Sequence, residues 1–218
     1  MSPHVPHDAT DWRESRWPPL IALVLAGALY VLLPDRLILG GGYFGWVVPV
    51  LEVLLIIVAV VTDPRRESDM RRRLGIALAI IITIANGASL VMLIVGIAYE
   101  SGFQGHDLVW AGIDIWVTNA IIFGIWYWEM DGGGPRRRAE APAGYTDFLF
   151  PQYQVSGPWT WRPAFLDYLF VAFTNAASFA PADTLPMTTR AKALMSLQSI
   201  ISLGVILIVA ARAINILH

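Results

Sequence analysis

The residues with the most chemical potential are carboxylates placed inside long apolar stretches. Glu52 lies near the middle of the run Tyr43–Thr62, three residues after Pro49, and Asp114 lies in the run Leu108–Met130. A carboxylate at the centre of a membrane helix costs at least ~2.5 kcal/mol, so it usually faces other helices or water. Proline bends a helix and frees a carbonyl, which would open a polar cavity beside Glu52. Binding of a proton or cation and a purely structural hydrogen-bonding role both remain open.

A second group of polar residues follows a helical period near the carboxyl end of the chain. Asp167, Thr174 and Ser178 share a face with Val171, because residues three or four apart lie on one side of a helix. These stripes predict a hydrated path or binding cavity, or alternatively interhelical hydrogen bonds worth ~0.6 kcal/mol each. The pore or turn candidates are Asp167, Thr174, Asn175, Ser178 and Asp183, and the intramembrane polar candidates are Glu52, Asp114, Gln198 and Arg212.

Two candidates have simple structural explanations as well. Asp167 suits the start of a helix, where a carboxylate is stabilised by the helix dipole. Arg212 shares a face with Gln198, but its long side chain could instead extend to the lipid headgroups.

The chain carries no recognisable catalytic or cofactor motif. It has no cysteine and four histidines, and no phosphate loop or paired-histidine zinc helix occurs. Gly132–Gly134 precede three arginines, but they follow an apolar run instead of a strand, which favours a solvated loop over a phosphate site. His4, His7 and Asp8 lie near the terminus, where loose metal binding is less expected than a mobile tail. We expect no enzyme activity, no cofactor and no metal site.

Composition points to a lipid environment. Of 218 residues, 56% are hydrophobic and 15% are charged, whereas soluble domains carry roughly 25% charged residues. Mean hydropathy is +0.57. The net charge of −2 argues against a nucleic-acid-binding protein. The chain is therefore predicted to be an integral membrane protein.

Six apolar runs are long enough to be considered as membrane helices, since ~20 residues cross ~30 Å of hydrocarbon. They predict an all-α polytopic bundle of about six helices, the fifth short and either spanning or re-entrant. The runs are Trp17–Leu33, Tyr43–Thr62, Leu74–Tyr99, Leu108–Met130, Ala164–Ala180 and Ala191–Leu217. The predicted organisation is a tail (1–16), four helices (17–130), a cytoplasmic or interfacial loop (131–163) and a helix–turn–helix unit (164–218).

Arginine placement predicts the orientation, because short cytoplasmic loops collect Lys and Arg. Five arginines occur between 65 and 73 and three between 136 and 138, whereas 100–107 has none. This pattern predicts a cytoplasmic amino terminus in a bacterial plasma membrane. If the fifth helix crosses the bilayer, Arg190 and Lys192 lie on the outer side of the membrane and are exceptions to this distribution of basic residues.

The loop after the fourth run contains many aromatic residues. Trp and Tyr favour the headgroup region, so Tyr145–Trp161 is predicted to lie along the inner interface. The alternative is that these rings, Phe148 and Phe150 among them, pack a structured loop.

The last third of the chain resembles a group of uncharacterised bacterial multi-pass membrane proteins. The similar residues are Tyr127-Trp128-Glu129 with Asp131-Gly132-Gly133, then Asp167–Phe179 and the turn to Pro186. The likeness covers residues 126–217 and implies a membrane location, not an activity.

The same stretch is more remotely similar to the pore module of potassium channels, in which a short helix leads through a filter into an inner helix. Asp183 and Pro186 match the end of that filter, but Phe179–Ala182 has no glycine and Pro181 fixes its backbone. A potassium filter needs glycines, so a pore of other selectivity is the expectation.

These observations predict an oligomeric, channel-like membrane protein of unknown selectivity. Its expected partners are membrane lipids, further copies of the chain and a small ion, but no nucleic acid. The alternative is a small secondary transporter or a membrane scaffold that uses Glu52 and Asp114.

Overall fold

The computed structural model describes residue 15 and residues 17–33, 37–38, 46–47, 50, 53–54, 69–98, 105–140, 146–155, 161–179 and 183–216. Six α-helices occur among these residues, and the prediction of an all-α fold is confirmed. They are α1 (Trp17–Leu32), α2 (Asp69–Ala98), α3 (Gly105–Met130), α4 (Pro135–Glu140), α5 (Phe165–Ser178) and α6 (Thr189–Ile216). Two short 3-10 helices (Asp131–Gly133, Pro151–Gln154) and two strands, β1 (Phe148–Leu149) and β2 (Leu185–Pro186), complete the described structure.

Three helical segments are long and apolar enough to cross a membrane: Arg72–Gly96, Asp107–Gly133 and Thr189–Ala211. The apolar helix α1 has 16 residues, or about 24 Å at 1.5 Å per residue. The predicted count of about six spanning helices is therefore not confirmed, since three helices among the described residues have the length and composition to span. Most of the second predicted run, 43–62, lies outside the described residues.

Helix α3 occupies the centre of the bundle. It packs against α1, α2, α5 and α6, and these four contact one another in the order α1, α2, α6, α5 and back to α1. In the most apolar stretch of α3, 61% of the residues are buried, whereas 22% are buried in the corresponding stretch of α6. A hydrophobic helix ringed in this way acts as the core of the molecule.

Helices α5 and α6 both begin at the C-terminal end of α3. Trp116, in the first half of α3, donates a hydrogen bond to the carbonyl of Ala176, near the end of α5 (3.3 Å). Tyr127, in the last turn of α3, meets Gln198, which lies in the first half of α6. Both helices therefore run antiparallel to α3 and parallel to each other.

Arg190 and Lys192 lie at the same end of the bundle as the arginines of α4, which differs from the arrangement expected if the fifth helix crosses. Arg190 pairs with Asp147, which also accepts a hydrogen bond from the Gly132 amide directly after α3. The reason is that α5 does not carry the chain to the other end of the bundle before α6 begins.

The segment after α3 folds into a compact turn instead of an open loop. Gly132, Gly133 and Gly134 have φ of 61°, 81° and 102°, a region that glycine adopts without steric cost. β1 then pairs antiparallel with β2, Phe148 opposite Pro186 and Leu149 opposite Leu185.

The aromatic residues of this turn mostly pack inward. Phe148 and Phe150 are buried, and both lie against the ring of Tyr168. The interface prediction is therefore wrong for these two rings, because they fill a structured turn. Tyr153 and Trp161 are half-buried, while Tyr145 and Trp159 lie outside the described residues.

Candidate functional site

The first polar cluster, which we call the amide cluster, joins α3, α5 and α6 and consists of Asn119, Tyr127, Asn175, Gln198 and Ser202. Gln198 is fully buried. Its side-chain carbonyl accepts hydrogen bonds from the Tyr127 hydroxyl (2.5 Å) and the Asn175 amide (2.8 Å). Its own amide donates to the carbonyl of Ala172 (2.8 Å).

The remaining members extend this network along α6. The Asn175 amide also donates to the carbonyl of Met195 (3.0 Å), and the Asn119 amide donates to the Ser202 hydroxyl (2.9 Å). The structure therefore brings together two of the predicted residues, Asn175 and Gln198. No carboxylate takes part in these bonds, which join the three helices to one another.

The second cluster, the carboxylate cluster, lies at the C-terminal end of α3 and consists of Asp131, Asp147, Tyr168, Thr188 and Arg190. One oxygen of Asp131 accepts from the amides of Asp147 (2.7 Å) and Phe148 (3.3 Å), and from the hydroxyl of Thr146. The other oxygen accepts from the Tyr168 hydroxyl (2.6 Å). Asp131 thereby fixes the turn onto α5.

Asp147 fixes the same turn onto the start of α6. Arg190 donates to both of its oxygens (2.6 Å each), Thr188 donates to one (2.5 Å), and the Gly132 amide donates to the other (3.1 Å). Burial raises the pKa of the Asp147 carboxyl, but these hydrogen bonds and the charge of Arg190 outweigh it, so the pKa lies below its usual value.

Arginines neutralise the end of α3. Arg138 donates to the carbonyls of Trp128 and Asp131 (2.6 Å each) and lies 5.0 Å from the centre of the Tyr168 ring. Arg72 donates to the carboxylate and the carbonyl of Glu129 (3.1 and 3.2 Å). Cations at this position are stabilised by the negative end of the helix dipole.

The carboxylate cluster is a structural joint. Its two carboxylates are surrounded by donors from the protein, and the described residues contain no group of three His, Cys, Asp or Glu side chains suited to a metal.

The predicted stripe on α5 is satisfied within its own helix. The Thr174 hydroxyl donates to the carbonyls of Phe170 and Val171 (3.0 Å each), and the Ser178 hydroxyl donates to that of Thr174 (2.7 Å). Asp167 accepts from the Ala164 amide at the start of the helix (2.7 Å). Within one copy, these three polar side chains do not converge.

The other candidates are scattered. Asp183 is exposed, with φ of 55°. Asp114 is half-buried, and one of its oxygens is buried with no hydrogen-bond partner among the described residues. Glu52 and the side chain of Arg212 lie outside what the structure describes.

No family model, curated protein or solved structure matches the chain.

The sequence candidates did not include the carboxylate cluster or three members of the amide cluster, Asn119, Tyr127 and Ser202. Tyr127 is fully buried, and its partner Gln198 is 71 positions away. Asp131 and Asp147 flank the glycine turn, yet their partners are far along the chain and follow no period. The one available signal was an acidic residue directly after an apolar run and directly before three glycines.

Proposed function

We propose that this chain is an oligomeric, channel-like membrane protein in which α5 is a re-entrant helix. The observation that carries this proposal is that α5 and α6 begin at the same end of α3. α5 has 14 residues, or about 21 Å, which is less than the ~30 Å of hydrocarbon. If α3 and α6 span the bilayer, α5 ends inside it.

A helix that ends inside a membrane needs polar surroundings for its last turn. The final four carbonyls of a helix lack partners within it, and each unsatisfied group costs several kcal/mol in hydrocarbon. In α5, the amide of Phe179 satisfies the carbonyl of Asn175, while Ala177, Ser178 and Phe179 are exposed. The end of α5 therefore calls for water or a second copy of the chain beside it.

The charges at this end favour a cation. The C-terminal end of a helix carries a partial negative charge of about half an electron, and the chain between α5 and β2 carries the exposed carboxylate of Asp183. Because α3 fills the centre of one copy, the path would run between copies, along the exposed sides of α5 and α6.

The test is cation flux through the purified chain in liposomes. Asp183→Asn is expected to lower the flux several-fold, because it removes the exposed carboxylate from the segment that follows α5. Glu140→Gln removes an exposed carboxylate from α4 and should leave the flux unchanged. Absence of flux in the unaltered protein, or equal flux in the Asp183→Asn variant, would count against a channel.

A proton-coupled carrier is the second candidate, and the unpartnered buried oxygen of Asp114 favours it. An ionisable group without a partner inside a membrane helix is a common proton site. Asp114→Asn would then abolish proton uptake while leaving cation flux through the α5 path intact. A scaffold would show neither flux and would instead retain a defined protein partner on purification.

A further inference from the structure

Two arginines converge on the glycine turn at the end of α3. A Cβ built on Gly133 would lie 3.2 Å from Nη1 of Arg137, and a Cβ built on Gly134 would lie 2.9 Å from Nε of Arg72. Gly133 and Gly134 are consecutive residues, so both arginine side chains lie against the same turn. The missing side chains of these glycines give the cations access to the backbone there.

This spot has more positive than negative charge. Arg72 shares the carboxylate of Glu129, but its side chain remains 37% exposed. Arg137 is exposed and forms no ion pair with the residues that the structure describes, and the exposed Arg73 lies next to Arg72 in α2. Of the two arginines that touch the glycine turn, only Arg72 therefore shares a carboxylate among the described residues.

The turn also lies where the hydrocarbon of a membrane would end. The apolar segment Asp107–Gly133 finishes at this turn. Tyr153 and Trp161, whose ring centres are 5.2 Å apart, are half-buried in the same region after α3, as is typical of aromatic residues at headgroup level. Below Arg72 and Arg73, α2 exposes Leu74, Ile80 and Ile84, a surface suited to acyl chains.

We propose that Arg72 and Arg137, over Gly133 and Gly134, bind the headgroup phosphate of an acidic phospholipid. Guanidinium groups bind phosphate oxygens through paired, charge-assisted hydrogen bonds, and basic pockets between membrane helices suit such headgroups. The apolar surface beside the arginines favours a lipid over a free phosphate ion. This site does not depend on whether the chain conducts ions.

The experiment compares lipid binding to the purified full chain in mild detergent, with native mass spectrometry as the readout. The probes are dioleoylphosphatidylglycerol, dioleoylphosphatidylcholine and inorganic phosphate. Phosphatidylglycerol should bind about ten-fold more tightly than phosphatidylcholine. Arg137→Gln should weaken phosphatidylglycerol binding about five-fold, the effect expected of one cation close to an anionic headgroup.

Two further variants distinguish a specific lipid-binding site from general electrostatic attraction of the lipid to a basic surface. Lys192→Gln removes one exposed positive charge from the first turn of α6, at the same end of the bundle, and should leave binding unchanged. Arg137→Lys keeps the charge but loses the planar fork, and should lie between the parent and Arg137→Gln.

Three results would overturn the proposal. Equal losses in Arg137→Gln and Lys192→Gln would show a general surface charge. Equal binding of the two lipids would show that the phosphate charge is not recognised. Full displacement of phosphatidylglycerol by inorganic phosphate at matched concentration would show a phosphate ion site instead of a lipid site.

Discussion

At the scale of single residues, Asp147 ties the start of α6 to the end of α3. Its buried carboxylate receives two hydrogen bonds from Arg190 and one each from Thr188 and Gly132. Asp147→Asn keeps the shape and loses the charge, so we expect a destabilisation of about 2 kcal/mol, the usual range for hydrogen bonds to a charged group. Thermal unfolding in detergent measures this. Glu140→Gln, at a mostly exposed carboxylate, is the control and should unfold like the parent.

The same carboxylate predicts how stability depends on pH. Its pKa is lowered in the folded protein, and the unfolded value is about 3.9. The contribution of Asp147 to stability is therefore complete above about pH 4 and is lost as the pH falls through the lower folded value. Unfolding followed from pH 6 down to about pH 3 should show a loss of stability below pH 4 that is reduced in Asp147→Asn. An identical acid profile for both proteins would contradict this account.

Residue spacing identified two members of the amide cluster and did not identify the carboxylate cluster. Gln198 follows a helical period in α6, and Asn175 lies beside the period of α5, so both could be named as candidates from the sequence. Asp147 and Arg190 are 43 positions apart and Asp131 and Asp147 are 16 apart. Such pairs meet only because helix directions bring them together, and a periodic pattern contains no information about that.

At the scale of helices, the packing of α3 on α5 depends on Gly124. A Cβ at this position would lie 3.1 Å from the backbone Cα of Leu169, and backbone cannot move aside as a side chain can. We expect Gly124→Ala to destabilise the protein by about 1–3 kcal/mol, as overpacking of a core does. Unfolding by detergent titration measures it.

The matched control is Gly204→Ala in α6. No atom lies within 4 Å of a Cβ built there, so alanine should raise stability by up to about 1 kcal/mol through its better helix propensity. Equal changes in stability from the two substitutions would show that α5 does not pack closely against α3 at Gly124.

The existence of the long helices could be predicted from composition, whereas their arrangement could not. The apolar runs beginning at Leu74, Leu108 and Ala191 lie within α2, α3 and α6. Arg190 was expected on the outer side only if the fifth run carries the chain across, and in the structure it lies at the end of α3 where α5 begins. The length of α5 left both options open, and only its contacts with α3 place its two ends.

At the scale of the whole molecule, the central position of α3 limits where a path can lie. Four helices surround it, and the amide cluster joins it to α5 and α6. In the proposed channel, a hydrated path uses the outer sides of these helices, which links conduction to assembly. A protein that is monomeric in a membrane would have no enclosed path at the end of α5.

The arrangement of helices makes a direct topological prediction, because α4, the turn before α5 and the start of α6 lie at one end of the bundle. Single cysteines at Arg137, Val155 and Lys192, all exposed, should react with an impermeant maleimide from the same side of the membrane. No native cysteine interferes. Ala211, 22 residues after Thr189 in α6, lies about 33 Å along the helix, so a cysteine there should react only from the opposite side. If the cysteine at Lys192 instead reacted from the side opposite Arg137, α5 would cross the bilayer. The proposal of a re-entrant helix would then be wrong, and so would the path proposed at its end.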